Sequence, residues 1–328
     1  DSVTVSGAGN VGSTLGIQGT AQVNINSGAT LTISNGVTVN AGTLTVDGTL
    51  AASSVAVGGT GTLTGTSGLD LSGAGTTTVT AGTVTANGAL NIGANTYNVN
   101  GGTTTATSIT RTSGGVALGG GTLTVDTINS TDISGSVGAG STLNVNTLLT
   151  LDAANLNTTG ATLNTTGATV DLGAGYTLTT GAAISMANLD MGTDASNQLD
   201  AGAGNTITVT NMMHGIGTAI GNVDASGATI APGNSPGTLT ITGNLVLNGG
   251  SVLDFELDSL AGPNDLIDIT GDLTLDGILN VTDLGGFEAG TYRLIDFTGS
   301  LTDNTLDLGT IPSGFNAAAN LPYRAGRA

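Results

Sequence analysis

The sequence has no cysteine, no tryptophan and no lysine, and its few charged residues are almost all acidic. Without cysteine the chain cannot form disulfides, thiolate metal sites or a cysteine nucleophile. Four basic residues stand against 23 acidic ones, so the formal net charge is -19. Nucleic-acid binding is disfavoured, because neutralising phosphates requires clustered Lys and Arg. No apolar run reaches the roughly 18 residues of a membrane span.

Bulky side chains are also scarce. Aromatic residues make up 2% and charged residues 8% of the chain, whereas 56 of the 328 residues are glycine. A wide globular core needs large side chains, so the core of this chain must be narrow. Its surface must consist mainly of Thr, Ser and Asn. Since Thr and Val favour strands while Gly and Asn favour turns, this composition indicates short strands joined by tight turns.

Short runs of alternating polar and apolar residues recur along the whole chain. Each run predicts one strand, with apolar side chains on one face and Thr or Asn on the other. The apolar spacing of an amphipathic helix is missing and Gly is too frequent for a long helix, so we expect little or no α-helix. Clear examples of the alternating runs are Thr43–Val46, Thr83–Ala86, Thr122–Val125, Thr206–Val209 and Thr238–Ile241.

Strand length and spacing are compatible with an antiparallel sandwich or with a solenoid. Repetition favours the solenoid: the seven residues Leu156–Thr162 are repeated identically by Leu163–Thr169. Similar units stack like on like, and Asn and Thr then hydrogen-bond to their own kind from turn to turn. We predict an all-β, single-stranded parallel β-helix, or β-solenoid, with about 15 turns of roughly 20 residues.

The composition changes in the last third of the chain. Prolines occur only from Pro232 onward, and acidic residues become denser after Asp254. We predict three parts: a solenoid repeat array over residues 1–222, C-terminal solenoid turns over residues 223–312, and a tail over residues 313–328.

The segment 230–241 reads IAPGNSPGTLTI, and the alternating run Leu253–Leu257 follows it. These residues resemble the last turns of autotransporter passenger domains and of related exported bacterial β-strand-repeat proteins, best over residues 230–300. The resemblance implies a right-handed parallel β-helix outside a Gram-negative-type cell. The first residues, DSVTVSGAGN, lack the basic and apolar regions of a signal peptide, so we expect the sequence to be a mature form.

Three catalytic or cofactor motifs fail on their context. Residues 7–12 match GxGxxG, but strand and turn residues follow where a dinucleotide site needs a helix. His214, the only histidine, follows two methionines that cannot complete a metal shell, and we expect a loop or break there. A catalytic triad would need His214 together with Ser235, which lacks the nucleophile-elbow pattern. We expect no enzyme and no catalytic or cofactor-binding residue.

Acidic residues form two candidate groups. Asp254, Glu256 and Asp258 alternate with apolar residues and should share one strand face. Paired carboxylates can hydrolyse glycosidic bonds, but we interpret this group as a solvated surface. The second group could bind Ca²⁺ weakly if adjacent turns bring it together, although no EF-hand or nonapeptide calcium repeat is present. These weak Ca²⁺ candidates are Asp265, Asp268, Asp272 and Asp276.

Pairs of threonines flanking one residue form a further pattern. They occur at Thr43/Thr45, Thr122/Thr124 and Thr238/Thr240. Arrays of such pairs on a β-solenoid are similar to the surfaces of ice-binding proteins. We expect the intervening turns to replace threonine by Asn, Ser or Ala, which makes ice binding a weaker alternative.

We interpret the chain as a secreted or cell-surface structural protein, a fibre-forming solenoid that assembles head to tail. The alternative is an autotransporter-like adhesin that binds glycans or matrix, and a polysaccharide-acting enzyme is a weaker one. The expected partners are further copies of the chain or surface glycans. In the tail, Tyr323, Arg324 and Arg327 are weak candidates for the interaction segment.

Overall fold

The computed structural model describes residues 1–134, 137–233 and 235–313. The chain is 58% strand and 1% helix, and its stacked parallel strands form a β-solenoid of about 12 turns. This confirms the predicted fold class, with fewer turns than expected. No helix in the described ranges has the length and apolar character of a membrane span.

The chain divides into two compact units. Unit 1 comprises Asp1–Leu149 and Leu156–Asn164, and unit 2 comprises Thr150–Asn155 and Thr165–Ala328. The three parts predicted from composition, residues 1–222, 223–312 and 313–328, divide the chain at other positions. That three-part division stays a prediction.

Unit 1 contains short strands and a single described 3₁₀ turn, Ser130–Asp132. The last residues of β18 belong to unit 2. The strands are β1 (Ser2–Val5), β2 (Ala8–Val11), β3 (Leu15–Ile17), β4 (Gln22–Ile25), β5 (Thr30–Val39), β6 (Thr43–Val46), β7 (Thr49–Val57), β8 (Thr62–Gly65), β9 (Leu69–Asp70), β10 (Ala74–Val79), β11 (Thr83–Ala86), β12 (Ala89–Gly93), β13 (Thr96–Val99), β14 (Thr103–Ala106), β15 (Ser108–Arg111), β16 (Gly115–Leu118), β17 (Thr122–Asn129), β18 (Thr142–Leu151) and β19 (Leu156–Asn157).

Unit 2 contains the remaining strands, apart from the first residues of β20, which belong to unit 1. These strands are β20 (Thr162–Leu172), β21 (Thr177–Thr179), β22 (Ile184–Asp190), β23 (Gln198–Asp200), β24 (Thr206–Gly215), β25 (Gly217–Ile220), β26 (Asn222–Asp224), β27 (Thr229–Pro232), β28 (Thr238–Thr242), β29 (Leu245–Val246), β30 (Val252–Leu257), β31 (Leu266–Ile269), β32 (Leu273–Asp283), β33 (Ile295–Phe297) and β34 (Leu301–Leu308).

Successive turns of unit 1 add strands to three parallel sheets. The first contains β1, β4, β6, β8, β11, β14 and β17; the second contains β2, β3, β5, β7, β10, β13 and β16; the third contains β9, β12 and β15. Most side-chain hydrogen bonds between neighbouring turns join residues 19, 20 or 21 positions apart, as for Thr66 with Asp47, Asn144 with Thr124 and Asn91 with Asp70, and the full range in this unit is 18 to 24. The first sheet is the most regular, because its in-register partners lie 19 to 21 positions apart throughout.

The turns of unit 2 vary more in length. Its strands β22, β24, β26, β27, β29, β30, β32 and β34 belong to one sheet, and β21, β23, β25, β28, β31 and β33 belong to another. Hydrogen bonds between turns join residues 20 positions apart at Thr165 and Ser185 but 28 apart at Asp272 and Asn244. Turns longer than the predicted 20 residues explain why there are fewer than 15.

The core of unit 1 consists of columns of inward-facing aliphatic side chains. Val23, Leu44, Leu63 and Val84 pair with one another in register on consecutive turns, and all four are buried. In unit 2, Ile207, Val223, Leu245 and Leu273 form the equivalent column. Burying each such side chain contributes about 1.5–3 kcal/mol, so the narrow core gains stability by repetition rather than by bulk.

Polar ladders run between the turns, as predicted for stacked Asn and Thr. In unit 1, Asn164 Nδ2 donates to Asn144 Oδ1 over 2.6 Å, and Asn144 Nδ2 donates to Thr124 Oγ1 over 2.9 Å. In unit 2, Asn211 Nδ2 donates to Asn188 Oδ1 in the same way. These hydrogen bonds satisfy the donors and acceptors of side chains that lie against one another on neighbouring turns.

Glycine permits the close stacking of the turns. Gly42 has a φ of 80°, and a Cβ there would lie 2.3 Å from the Ala21 carbonyl oxygen of the preceding turn. Gly82 has a φ of 74° and would meet the Gly61 oxygen at 2.4 Å. Both the left-handed backbone and the short approach exclude a side chain, which accounts for glycine at these corners.

One turn of unit 1 replaces an aliphatic core residue with a polar pair. Thr104 occupies the inward position of β14 next to Val84 of β11 and is fully buried, as is Tyr97 of β13. Their hydroxyls lie 2.9 Å apart and share a hydrogen bond in which either can donate. Burial raises the pKa of Tyr97 well above its usual range, so its hydroxyl stays neutral.

Breaking this pair should destabilise unit 1. We expect Tyr97→Phe and Thr104→Val each to lower the free energy of unfolding by about 1–3 kcal/mol, because each leaves one buried hydroxyl without a partner. The double variant should lose less than the sum of the two. Equilibrium denaturation of all four chains gives the coupling energy, with the outward Thr78→Val as the control. Additive losses would contradict this role.

Candidate functional site

The first sheet of unit 1 presents two parallel ranks of threonine on its outer side. Each of the five consecutive strands β6, β8, β11, β14 and β17 contributes two threonines, and each pairs in register with a threonine of the next strand. We call this surface the threonine face. Its members are Thr43, Thr45, Thr62, Thr64, Thr83, Thr85, Thr103, Thr105, Thr122 and Thr124.

This arrangement corrects one expectation from the sequence. The turns between Thr43/Thr45 and Thr122/Thr124 do not replace threonine by Asn, Ser or Ala, because β8, β11 and β14 each keep both threonines. The third predicted pair, Thr238/Thr240, lies in unit 2. Its strand pairs with Leu266 and Asp268, so it belongs to no comparable array.

Amide side chains border the threonine face on both sides. On β4, Gln22 and Asn24 pair with Thr43 and Thr45. On β18, Asn144 donates through Nδ2 to Thr124 Oγ1. Among the described residues, Thr124 is the only member of the face whose hydroxyl has a protein partner. The other hydroxyls are available to solvent or to a ligand.

The threonine face carries no charge. The nearest carboxylates along the strands are Asp47, directly after β6, and Asp126, within β17. Asp47 Oδ1 accepts hydrogen bonds from the backbone N–H and the hydroxyl of Thr66, both over 2.8 Å. Asp126 Oδ1 accepts from Asn146 Nδ2 over 3.0 Å. Each carboxylate therefore lies two residues beyond the second threonine of its strand, at the border of the face.

Acidic residues concentrate in unit 2. Unit 1 has five of the 23, namely Asp1, Asp47, Asp70, Asp126 and Asp132, and unit 2 has the remaining 18. The neutral face therefore lies in the unit that contributes little to the net charge of -19. The field of the chain should repel an anionic surface mainly at unit 2.

His214 lies in a column of outward acidic residues in unit 2. It was expected in a loop or break, but it belongs to β24 and pairs with Asp190, which pairs in turn with Asp171. His214 Nδ1 is 3.6 Å from Asp190 Oδ1. Burial and the neighbouring Asp190 raise the pKa of Asp171, and the His214 charge opposes this. The prediction of a loop at His214 was wrong, because alternation is interrupted only at the exposed Thr210 and Asn211 and resumes through Met212 and Met213.

The structure does not gather the four weak Ca²⁺ candidates into one site. Asp268 faces outward on β31, between Thr240 and Asp296. Asp272 Oδ1 accepts from the Ser300 N–H, and Asp276 Oδ1 accepts from the Gly277 N–H. Within the described ranges no three His, Cys, Asp or Glu side chains are placed to hold a metal ion.

Asp265, the fourth candidate, is buried and holds two backbone segments together. Its Oδ1 accepts from the Gly237 N–H over 2.8 Å, and its Oδ2 accepts from the Glu256 N–H over 2.6 Å. Only 1% of the residue is exposed. It thereby fixes the end of the sequence segment PGNSPG against β30. The loss of hydration is the larger effect and raises the pKa of Asp265 to about 6.

The other predicted residues are placed as follows. Asp254 and Glu256 lie on the outer side of β30, which confirms the alternation of that strand, and Asp254 Oδ1 accepts from Asn280 Nδ2 over 2.8 Å. Tyr323, Arg324 and Arg327 lie outside the described residues. The sequence analysis identified β11 as an alternating run but did not join its threonines, or those of β8 and β14, to the predicted pairs, although their spacing of roughly one turn was the available signal.

The fold and this surface define a β-solenoid repeat protein with an uncharged threonine surface on one of its sheets. Over 103 residues the chain is 40% identical to a protein described as "Adhesin BmaC autotransporter" from Brucella suis biovar 1 (strain 1330). The match covers 29% of this chain and 3% of that much longer protein. The resemblance to autotransporter-type passengers is thus confirmed over part of the chain. No family model and no solved structure matches.

The burial of Asp265 predicts a pH-dependent stability. Its pKa is higher in the folded state than the ordinary value of 3.8, so the folded state binds the proton more tightly. Relative to Asp265→Asn, the wild-type chain should therefore lose about 2 kcal/mol of unfolding free energy as the pH rises from 4 to 7. Chemical denaturation at several pH values measures this difference.

Asp283 provides a control of opposite sign. Backbone N–H groups, first that of Phe287 and then that of Gly285, lower its pKa. The stabilisation that Asp283 supplies is therefore present above its ordinary pKa and lost as the pH falls below about 4. If the difference in unfolding free energy between the wild type and Asp265→Asn stays constant between pH 4 and 7, Asp265 does not bind a proton in its buried site.

Proposed function

We propose that this chain is a segment of an exported cell-surface adhesin and that the threonine face is its binding surface. The partial match to an autotransporter adhesin supports the adhesive role. The target class proposed is surface glycan or matrix. The threonine face itself is the observation that carries the proposal, since it presents ten threonines in two in-register ranks on five consecutive strands.

The chemistry of the threonine face suits an extended and neutral partner. Its members offer hydroxyls that donate and accept hydrogen bonds, and they place no carboxylate against the incoming surface. Each contact is weak, but ten residues on a stacked sheet engage together and so add their contributions. The buried side chains Leu44, Leu63 and Val84 beneath the face fix the backbone, which lowers the entropy lost on binding.

We propose that the acidic strand of unit 2 is a solvated surface and has no catalytic role. Asp254 is engaged by Asn280 from the next turn. Glu256 follows two residues later on the same outer side of β30. This is the pattern of a solvated face, and the enzyme hypothesis gains no support from it.

The structural role remains a second candidate. Ladders such as Asn164–Asn144–Thr124 tie consecutive turns together and favour a rigid support for the binding face. Head-to-tail assembly stays a prediction, because its proposed segment lies outside the described residues.

Two matched double variants test the binding surface. Thr64→Tyr with Thr105→Tyr places two bulky rings on the threonine face, two strands apart. Thr38→Tyr with Thr78→Tyr does the same on the second sheet of the same unit, where the Thr38 and Thr78 strands are also separated by one strand. All four threonines are half-buried. The control variant reports any general effect of added tyrosine.

We expect the face variant to lose roughly tenfold or more in apparent affinity for neutral glycans or immobilised matrix, because the rings prevent close approach across several residues. The control variant should bind like the wild type. Glycan arrays and surface plasmon resonance with the purified chain give both values. Equal binding by all three chains would show that adhesion does not use this face.

A further inference from the structure

Two segments of unit 2 form an exposed surface that is separate from the threonine face. They are residues 258–264, which follow β30, and residues 283–292, which begin at the last residue of β32. The Leu260 N–H donates to Glu288 Oε1 over 3.2 Å. The Leu260 side chain lies against Gly290, where an added Cβ would collide with it. The two segments are therefore in direct contact, and we call their surface the loop cluster.

Stacked aromatic rings hold the loop cluster in shape. The Phe287 and Tyr292 rings have centroids 4.9 Å apart and an interplanar angle of 18°. The Tyr292 hydroxyl accepts from the Glu288 N–H and donates to the Asp258 carbonyl oxygen, both over 2.9 Å. Because these contacts fix the two segments before a partner arrives, docking on them loses little conformational entropy.

The loop cluster exposes two large apolar side chains. Leu260 is 44% exposed and Leu284 is 39% exposed, whereas most leucines of the chain are buried in its core. Leu284 is held at the end of β30 by its N–H, which donates to the Leu257 carbonyl oxygen over 2.9 Å. Both leucines therefore stand on fixed backbone beside polar residues. Exposed apolar side chains in such a setting mark a surface that a partner covers.

Three carboxylates of the loop cluster lack a basic partner among the described residues. They belong to Asp258, Asp283 and Glu288, and no salt bridge in the described part of the chain includes them. Arg293, which follows the second segment directly, is bound by both carboxylate oxygens of Asp296. The surface thus combines exposed leucines with an excess of negative charge.

This combination distinguishes between classes of partner. An anionic partner would be repelled, and a neutral sugar would not use the charge. Asn264 offers little to a sugar either, because its Oδ1 accepts from the Asp258 N–H and its Nδ2 donates to the Ser259 and Gly262 carbonyl oxygens. A peptide that carries Lys or Arg beside apolar side chains complements both the charge and the leucines.

We propose that the loop cluster is a docking surface for basic amphipathic peptide segments. Apolar side chains of the peptide cover the two exposed leucines, and its Lys or Arg side chains pair with the three carboxylates. The carboxylates attract the peptide from a distance, while the leucines favour an apolar neighbour over a purely charged one. The inference is independent of the proposed function, because the loop cluster lies in unit 2 and the threonine face in unit 1.

Titration of the full chain with synthetic peptides tests the docking surface. The probe is a peptide of about five helical turns in which Leu fills one face and Lys the other. We expect saturable binding by isothermal titration calorimetry, with an affinity that falls as salt is added. A second peptide with Gln in place of every Lys, and a third with Ser in place of every Leu, should each bind at least roughly tenfold more weakly.

Two matched double variants locate the charge. Asp258→Asn with Glu288→Gln removes two charges from the loop cluster and retains the oxygen that accepts from Leu260. Asp194→Asn with Asp224→Asn removes two charges elsewhere in unit 2, where each carboxylate accepts from an N–H two residues onward. We expect the first variant to bind the Leu/Lys peptide roughly fivefold more weakly and the second to bind it like the wild type.

A pair of single variants tests the apolar contact. Leu284→Ser removes one exposed leucine from the loop cluster, and Val246→Ser removes a similarly exposed side chain from β29. Leu284→Ser should weaken peptide binding roughly fivefold, because the leucine no longer shields apolar peptide surface from water. Val246→Ser should bind like the wild type. Far-UV circular dichroism and thermal unfolding verify the fold of each chain.

Several results would overturn the docking surface. Absence of saturable binding would do so, and so would equal losses in the two double variants, because a general attraction to an acidic chain does not depend on position. A dimer that Leu284→Ser dissociates, measured by sedimentation of the chain alone, would overturn it in favour of a second copy. Loss of glycan binding in Leu284→Ser at unchanged peptide affinity would overturn it in favour of a sugar. Thr64→Tyr/Thr105→Tyr should bind the peptide like the wild type, so the two proposals fail separately.

Discussion

Parallel, in-register pairing between consecutive turns is the constraint on which the rest of this structure depends. Each strand hydrogen-bonds to the strand one turn earlier and one turn later, so equivalent residues are forced together in columns. An aliphatic column such as Val23–Leu44–Leu63–Val84 then forms a core. An outward column becomes a rank of identical groups. Core and surface are therefore set by the same register, and a change of turn length alters both.

The difference in turn length separates the two units chemically. In the first sheet of unit 1, in-register partners lie 19 to 21 positions apart, and threonine meets threonine on five successive strands. In unit 2 the separation extends to 28 and beyond, as for Asp272 with Asn244 and Thr310 with Asn280, and the added residues form loops between the sheets. Asp265 shows how such a loop is secured, since its buried carboxylate bonds to Gly237 and Glu256. Turns of unequal length are thus held by individual hydrogen bonds such as those of Asp265, whereas turns of similar length stack equivalent side chains into regular rows.

Alternation and composition were sufficient to predict an all-β chain of short strands, because both depend on local spacing alone. Repetition of similar units was needed to favour the parallel solenoid over an antiparallel sandwich. Register was harder to predict. The separations between paired threonines change by a residue or two from turn to turn, so no strict period reveals that Thr64, Thr85 and Thr105 are neighbours. The identical segments Leu156–Thr162 and Leu163–Thr169 do the reverse: they show a strict repeat in the sequence that the structure does not follow. Leu156 is buried and Leu163 is half-buried, so this seven-residue repeat does not correspond to the structural turn.

Burial of single polar groups could not be predicted for a related reason. Asp265 and Asp268 are three residues apart in similar local sequence, yet one is buried and the other faces outward. Their environments depend on the partner strand and on the preceding loop, which local patterns do not specify. The charge of a whole surface likewise depends on which residues the stacked strands bring together. Because a stacked sheet repeats whatever its outward positions carry, a single charged residue per turn would have produced a charged stripe. Threonine at ten equivalent positions instead leaves one exposed face free of the repulsion that an acidic chain otherwise presents to its surroundings.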